Sequence, residues 1–160
     1  MLDLAAGSGR HTLFLADRGH AVTAVDRDAV AMRDLAGHAE TVVADLESGP
    51  WPLAGRSFDA VVVTNYLWRP LWPAILAALA PGGVLIYETF ASGNETVGRP
   101  ARPDFLLAPG ELLRVAAGLR IVAYEDGFLR APDRYVQRLV AVLENPAATA
   151  SRYPLEASGG

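Results

Sequence analysis

Short apolar runs alternate with amphipathic segments along the first ninety residues. The runs are Leu2–Ala6, Ala21–Val25, Thr41–Ala44, Phe58–Thr64 and Val84–Phe90. They are nearly continuous rather than alternating, and rich in Val, Leu and Ile. Strands with both faces buried in a parallel sheet carry this pattern, because neither face meets water. Between them Arg10–Arg18, Asp28–Gly37 and Leu71–Ala80 repeat apolar residues at helical spacing. Asp28 stands where a carboxylate caps a helix start. The strand–helix rhythm predicts a doubly wound, mostly parallel α/β sheet with helices on both faces.

After Phe90 the rhythm breaks. Ala91–Pro109 has no clear period and holds Gly93, Gly98, Arg99, Pro100, Arg102 and Pro103. A long aperiodic segment inside a compact domain is commonly functional, and we read it as a cover over a binding site. A short helix is expected at about Gly110–Ala117, then strands at Leu119–Glu125 and Tyr135–Leu143. The link around Ala131-Pro132-Asp133 is too short for a helical crossover, so this last pair is expected to be antiparallel. From Glu144 onward Ala, Pro, Ser and Gly dominate. The reading is one domain over 1–143 and a flexible tail over 144–160.

Composition removes several chemistries. All 14 basic residues counted as Lys+Arg are arginine. A chain without lysine has neither a P-loop lysine nor a Schiff-base lysine. With no cysteine it has no thiol nucleophile, no thiolate-bound zinc and no disulfide. His11, His20 and His38 lack metal-ligand spacing, so no metal is expected. No Gly-x-Ser-x-Gly elbow is present. The formal net charge is −4 and no basic cluster stands out, which argues against nucleic acid as a partner. No apolar run reaches the roughly 18 residues that span a bilayer, and no secretory pattern opens the chain. The expected location is the cytoplasm. Oligomeric state leaves no mark on the sequence.

Two patterns carry candidate chemistry. In Leu2-Asp3-Leu4-Ala5-Ala6-Gly7-Ser8-Gly9-Arg10-His11 a strand ends in a Gly-rich turn that opens a helix. Such a turn lets a ligand approach the main chain, and the helix start offers free N–H groups. Val22-Thr23-Ala24-Val25-Asp26 then closes the second strand with a carboxylate suited to a ribose diol. This spacing fits any adenosine-containing cofactor. A dinucleotide turn, however, wants a third glycine where Thr12 stands, and Asp3 at the strand end would repel a pyrophosphate. Asp3 suits an amino acid's ammonium instead.

With these residues the chain resembles the class I S-adenosylmethionine-dependent methyltransferases. Asp3 through Gly9 is similar to their first motif, with Ala5 where many members carry a further glycine, and Asp26 is similar to the ribose-binding acid of the second. Val43-Ala44-Asp45-Leu46 resembles the third, Phe58 through Asn65 the fourth strand, and Leu79-Ala80-Pro81-Gly82-Gly83-Val84-Leu85-Ile86 the turn into the fifth. The Gly-Ser-Gly-Arg-His helix start and the segment after the fifth strand resemble, more narrowly, the tellurite-resistance-type methyltransferases.

The resemblance implies a Rossmann-like seven-stranded sheet with a C-terminal antiparallel strand. It implies S-adenosylmethionine as cofactor, held by Asp3, Ala5, Gly7, Ser8, Gly9, Asp26, Arg27, Asp45, Leu46, Thr64 and Asn65. Asp45 would accept from the adenine amino group, with Leu46 near the ring. The Asn/Asp-Pro-Pro-aromatic motif of enzymes that methylate planar amines is absent after the fourth strand, where Thr64-Asn65-Tyr66-Leu67 stands. Methyl transfer to a small-molecule acceptor in line with the sulfonium needs orientation and a dry pocket more than a base. Tyr66 and Glu88 are the candidate bases, and Tyr66, Trp68, Arg69 and Arg99 the candidate acceptor-pocket residues; Arg69, Arg99 and Arg102 would steer an anionic acceptor. An NAD(P)-binding reductase and a non-catalytic cofactor-binding module are the alternative readings.

The resemblance also implies a helical segment ahead of the first strand. The strand pattern begins at the first residue, so we expect Met1 not to be the natural start. The Arg-for-Lys bias and the abundance of Ala, Gly and Pro fit a GC-rich genome, where internal GTG codons are frequent starts.

Overall fold

The computed structural model describes residues 1–147 together with Arg152 and Tyr153. Among the described residues seven strands and four α-helices follow one another: β1 (Leu2–Leu4), α1 (Arg10–Ala16), β2 (Thr23–Asp26), α2 (Ala29–Leu35), β3 (Glu40–Val43), β4 (Phe58–Thr64), α3 (Trp72–Ala77), β5 (Leu79–Phe90), α4 (Glu111–Val115), β6 (Arg120–Leu129) and β7 (Arg134–Val142). The sheet order is β3-β2-β1-β4-β5-β7-β6. The first five strands are parallel, and β7 runs antiparallel to both β5 and β6. Most of the tail expected over 144–160 lies outside the described residues.

Strand alternation sorts the core onto two faces. Leu2, Leu4, Val25, Val61, Val63, Leu85, Tyr87 and Leu139 pack one face together with Ile75 of α3 and Leu112 of α4. Burying such side chains fully contributes about 1.5–3 kcal/mol each, which fixes the register of the short β1. Ala24 on the other face packs against Met32 and Leu35 of α2 and against Leu13 of α1. This second face thins toward the hairpin. Ile86 is 37% exposed there, beside the cross-strand row Glu88–Arg138–Glu125. Among the described residues no helix is long and apolar enough to cross a membrane.

Two turns set the strand ends. The Pro81-Gly82-Gly83 turn leads into the paired part of β5, and a Cβ on Gly83 would lie 2.7 Å from the Ala80 carbonyl oxygen and 2.9 Å from that of Phe58. No side chain fits there. Asp28 caps α2, its carboxylate accepting from the N–H groups of Val30 and Ala31.

The stretch without a clear period after β5 has defined local structure. It contains short 3₁₀ turns at Asn94–Thr96 and Pro103–Phe105, and Ala91 bridges Leu107. Asn94 is the reason. Buried at 1% exposure, it donates to the Pro100 carbonyl at 2.9 Å and accepts from Tyr135 N–H at 3.1 Å. One amide thereby ties the segment to itself and to β7, a tertiary contact that no period along the chain announces. The β6 strand also runs on to Leu129, past the expected end at Glu125.

Candidate active site

β1 lies between β2 and β4, so the chain winds outward in both directions from this point. Open α/β sheets form their binding crevice beyond the strand ends at such a reversal. A cavity of about 310 Å³ lies there, lined by Ala5, Asp26, Arg27, Ala44, Asp45, Leu46, Glu47, Asn65 and Tyr66. These residues end or follow β1, β2, β3 and β4 in turn.

The carboxylates are held in place by the main chain around them. Asp26 accepts from Gly7 N–H through Oδ2 at 2.8 Å and from Asp28 N–H through Oδ1 at 2.9 Å. A carboxylate has about four acceptor positions, so each oxygen keeps one for a ligand. Asp45 accepts from the Ser48 hydroxyl at 2.7 Å and from Glu47 N–H at 2.9 Å. The Ser48 bond above all holds its carboxyl below the usual range, with Glu47 N–H second. Around this cavity the carboxylates of Asp26, Asp45 and Glu47 face a single guanidinium, Arg27. The lining is net negative and suits a cationic ligand.

The turn after β1 is tight. Gly9 has φ +79, and a Cβ on it would come within 2.4 Å of the Leu35 side chain. Ala5 also takes a left-handed conformation, φ 55, as does Asn65 at the end of β4, φ 53. Asparagine tolerates that region; alanine is strained in it.

A second cavity of about 280 Å³ adjoins the first. Glu47, Asn65, Tyr66, Leu67, Thr89, Phe90, Pro100 and Phe105 line it. Glu47, Asn65 and Tyr66 belong to both. The Tyr66 hydroxyl is buried without a partner, while its carbonyl accepts from the Tyr87 hydroxyl at 2.9 Å. Burial pushes the Tyr87 hydroxyl up to about 12.

Several expected site residues lie elsewhere or are otherwise engaged. Tyr66 sits at the junction of the cavities, but burial, reinforced by the Glu47 charge, raises its hydroxyl well above an ordinary phenol. That shift works against its use as a base and leaves its hydroxyl placed to hydrogen-bond. Glu88 is not a base facing an acceptor: its carboxylate lies 3.8 Å from Arg134 and 3.7 Å from Arg138 on the thinly covered face. Alternation along β5 turns it away from Tyr87.

Arg69 is not free to steer an anion. It donates to both oxygens of Glu111, at 2.7 and 3.0 Å, and to the carbonyls of Asp104 at 2.8 Å and Leu106 at 2.9 Å. Arg102 pairs with Asp104 at 2.8 Å. Arg99 is exposed and lines neither cavity. Trp68 packs half-buried against the core.

Asp3, 1% exposed, accepts from the Thr12 hydroxyl at 2.6 Å, and burial raises its carboxyl. Thr64 Oγ1 meets His11 Nδ1 at 3.2 Å. Asp3, Gly7, Ser8, Gly9 and Thr64 thus build the floor and turn without lining either cavity.

The residues that sequence reasoning passed over are Ala44, Glu47, Leu67, Thr89, Phe90, Pro100 and Phe105. Ala44 and Glu47 flank the Asp45-Leu46 pair, and Pro100 and Phe105 lie in the segment expected to cover the site.

A doubly wound seven-stranded sheet, a reversed last hairpin and an acid-lined crevice at the winding reversal define the Rossmann-like methyltransferase fold. Residues 1–83 match the family described as methyltransferase domain, and the chain belongs to that family. Among solved structures it is similar to a SAM-dependent methyltransferase from Methanosarcina mazei, with 19% identity and a TM-score of 0.70, covering 90% of this chain and 92% of that one. TehB from Haemophilus influenzae gives 20% identity and a TM-score of 0.70, covering 88% of this chain and 57% of that one. The present chain thus spans little more than half of TehB. The N-methyltransferase NodS from Bradyrhizobium japonicum gives 19% identity and a TM-score of 0.68, covering 90% and 85%. These are likenesses of fold. Comparison with curated proteins gave no significant sequence match.

Proposed function

We propose that this methyltransferase binds S-adenosylmethionine in the acid-lined crevice and passes its methyl group to a small-molecule acceptor in the adjoining cavity, by direct in-line transfer. The observation that carries this reading is that the two cavities share Glu47, Asn65 and Tyr66 in their linings. The donor set fits the cofactor. Asp26 has an acceptor position left on each oxygen for a ribose diol. Asp45 would accept from the adenine amino group, with Leu46 against the ring. The net negative lining suits a molecule bearing a sulfonium and an ammonium. Bound there, the cofactor supplies a methyl group already activated for displacement.

The chain's own residues then do the orienting. Tyr87 fixes the Tyr66 main chain from behind. Phe90, Pro100 and Phe105 give the acceptor side an apolar wall. Correct alignment can account for several kcal/mol of the barrier, up to about 7–11 in well-oriented cases.

Titration calorimetry with S-adenosylmethionine, S-adenosylhomocysteine and NADH tests the cofactor. Binding of the first two and not the third is expected. Preference for NADH would replace this reading with the reductase one, against which Thr12 and the acidic lining already speak. Cofactor binding with no S-adenosylhomocysteine released on any acceptor would favour a non-catalytic module.

A further inference from the structure

We propose that the acceptor is a basic amine on a small apolar body, and that Glu47 sets this preference. The inference rests on the two-cavity reading above and adds the acceptor's chemistry. Leu67, Phe90, Pro100 and Phe105 give the acceptor cavity an apolar wall, and Glu47 is the one acidic side chain among its lining residues. No guanidinium lines this cavity: Arg69 is tied to Glu111 and two carbonyls, and Arg27 lines the first cavity only. An anionic acceptor would therefore meet a carboxylate, itself solvent-exposed, with no cation among the lining residues to compensate. At about 280 Å³ the cavity lies at the small end for a ligand site, which suits a single ring or a short chain.

The charge balance of the reaction points the same way. A neutral amine attacks with its lone pair; the C–N bond forms as the C–S bond breaks, and the C–S electron pair stays on sulfur. The positive charge leaves the sulfonium and arrives on nitrogen as an N-methylammonium, which then gives its proton to solvent. Glu47 borders both cavities, so it stabilises the charge at its origin and at its destination. Buried without a protein partner, the Tyr66 hydroxyl supplies an oxygen that an ammonium N–H can bond. A thiolate or carboxylate acceptor would neutralise the charge and leave Glu47 facing an anionic ground state.

The test uses the whole chain. Wild-type affinity for S-adenosylmethionine is measured first by calorimetry. Turnover is then read as S-adenosylhomocysteine release with benzylamine, phenethylamine, benzyl mercaptan, phenol and phenylacetate. The amines are expected to exceed the others in kcat/KM by at least about tenfold, with rates rising as pH approaches the amine's own pKa. In parallel, benzylamine and its neutral isostere benzyl alcohol are titrated into the chain saturated with S-adenosylhomocysteine. Benzylamine is expected to bind about tenfold tighter, and Glu47→Gln to abolish that difference. Equal binding of the two by wild type, an unchanged difference in Glu47→Gln, or preferred turnover of the thiol or carboxylate would overturn the amine assignment. Failure of wild type to bind S-adenosylmethionine would instead overturn the two-cavity reading. If no compound is turned over, the binding comparison decides.

Discussion

Gly7 N–H donates to Asp26 Oδ2 at 2.8 Å across the tops of β1 and β2. The glycine turn and the acid that ends the next strand are therefore one unit. Asp26→Ala removes the proposed ribose acceptor and also the anchor of the turn. Hydrogen bonds to a charged group contribute about 1.5–3 kcal/mol each, so affinity for S-adenosylmethionine should fall at least about tenfold. Asp28→Ala is the control: it removes only the cap of α2, at a cost of about 1 kcal/mol, and should leave affinity within about threefold. Calorimetry and thermal melting on both variants check this. Equal affinities in Asp26→Ala and wild type would remove Asp26 from the site.

The parts of the fold with local causes were legible in the sequence. Phe58–Thr64 reads as a buried strand because its valines need both faces covered, and β4 has those bounds. Asp28 reads as a cap from its place before α2, and it is one. The first cavity was legible through Asp26, Asp45 and Leu46, since each ends or follows a strand at the winding reversal. What could not be read depends on partners far along the chain. Nothing local distinguishes Arg69 as a clamp from Arg69 as a free cation, since Glu111 lies forty-two positions away. Glu88 and Tyr87 are neighbours in sequence, and only the uneven cover of the two sheet faces separates their fates. The fixed shape of the segment after β5 rests on Asn94 reaching Tyr135, a contact with no periodic signature.

Ala5 occupies a left-handed conformation, φ 55, in the lining of the proposed cofactor cavity. For an L-residue that conformation costs roughly 1–2 kcal/mol, against about 0.4–1 kcal/mol of unfolded-state entropy that glycine adds. Ala5→Gly should be net stabilising by roughly 0.5–1 kcal/mol, raising Tm by about 1–4 °C in a chain of this size. The two glycines give the reverse experiment. Gly7→Ala meets no atom within 4 Å and carries only the conformational strain, whereas Gly9→Ala also meets Leu35. Gly9→Ala should be the more damaging. The opposite order in thermal melts would mean that contact with Leu35 does not govern the turn.

Arg69 straps the end of the segment after β5 to the turn after β4, with Phe105 held between the two carbonyls it binds. Arg69→Gln should raise acceptor KM with little change in cofactor affinity, and amides of residues 103–111 should exchange faster with deuterium. With Arg69 about a third exposed, solvent screening keeps the stability loss to about 1–2 kcal/mol. Arg69→Lys should not restore it, since one ammonium cannot span both oxygens of Glu111 and two carbonyls. Burial raises the Glu111 carboxyl, but Arg69 and the Ala108 N–H outweigh it and leave it depressed. A depressed carboxyl contributes stability above its unfolded pKa and loses it as pH falls through the folded value. Wild type should thus lose stability more steeply than Arg69→Gln below about pH 5. Parallel pH profiles for the two would show that the ion pair carries no such linkage.

Asp3 presents the opposite sign. It is 1% exposed, and burial raises its carboxyl even though the Thr12 hydroxyl donates to it. The unfolded chain releases this proton near the model-peptide value of about 3.9; the folded chain holds it to higher pH. The folded state therefore binds more protons between the two values, and wild-type stability falls as pH rises through that window. Asp3→Asn has no proton to release there and keeps an oxygen for Thr12. The stability of wild type minus that of Asp3→Asn should decline from about pH 4 upward and level off once Asp3 is ionised in both states. This slope is independent of any constant cost of placing an amide in the site, so the test survives an unfavourable offset. Urea denaturation of both proteins between about pH 4 and 7.5 measures it. A difference that stays flat, or grows with pH, would mean that Asp3 is stabilised as a carboxylate by its surroundings. Because Asp3 lines neither cavity, Asp3→Asn should also weaken S-adenosylmethionine binding less than Asp26→Ala does. A larger loss would make Asp3 a direct partner of the cofactor rather than part of the floor beneath the glycine turn.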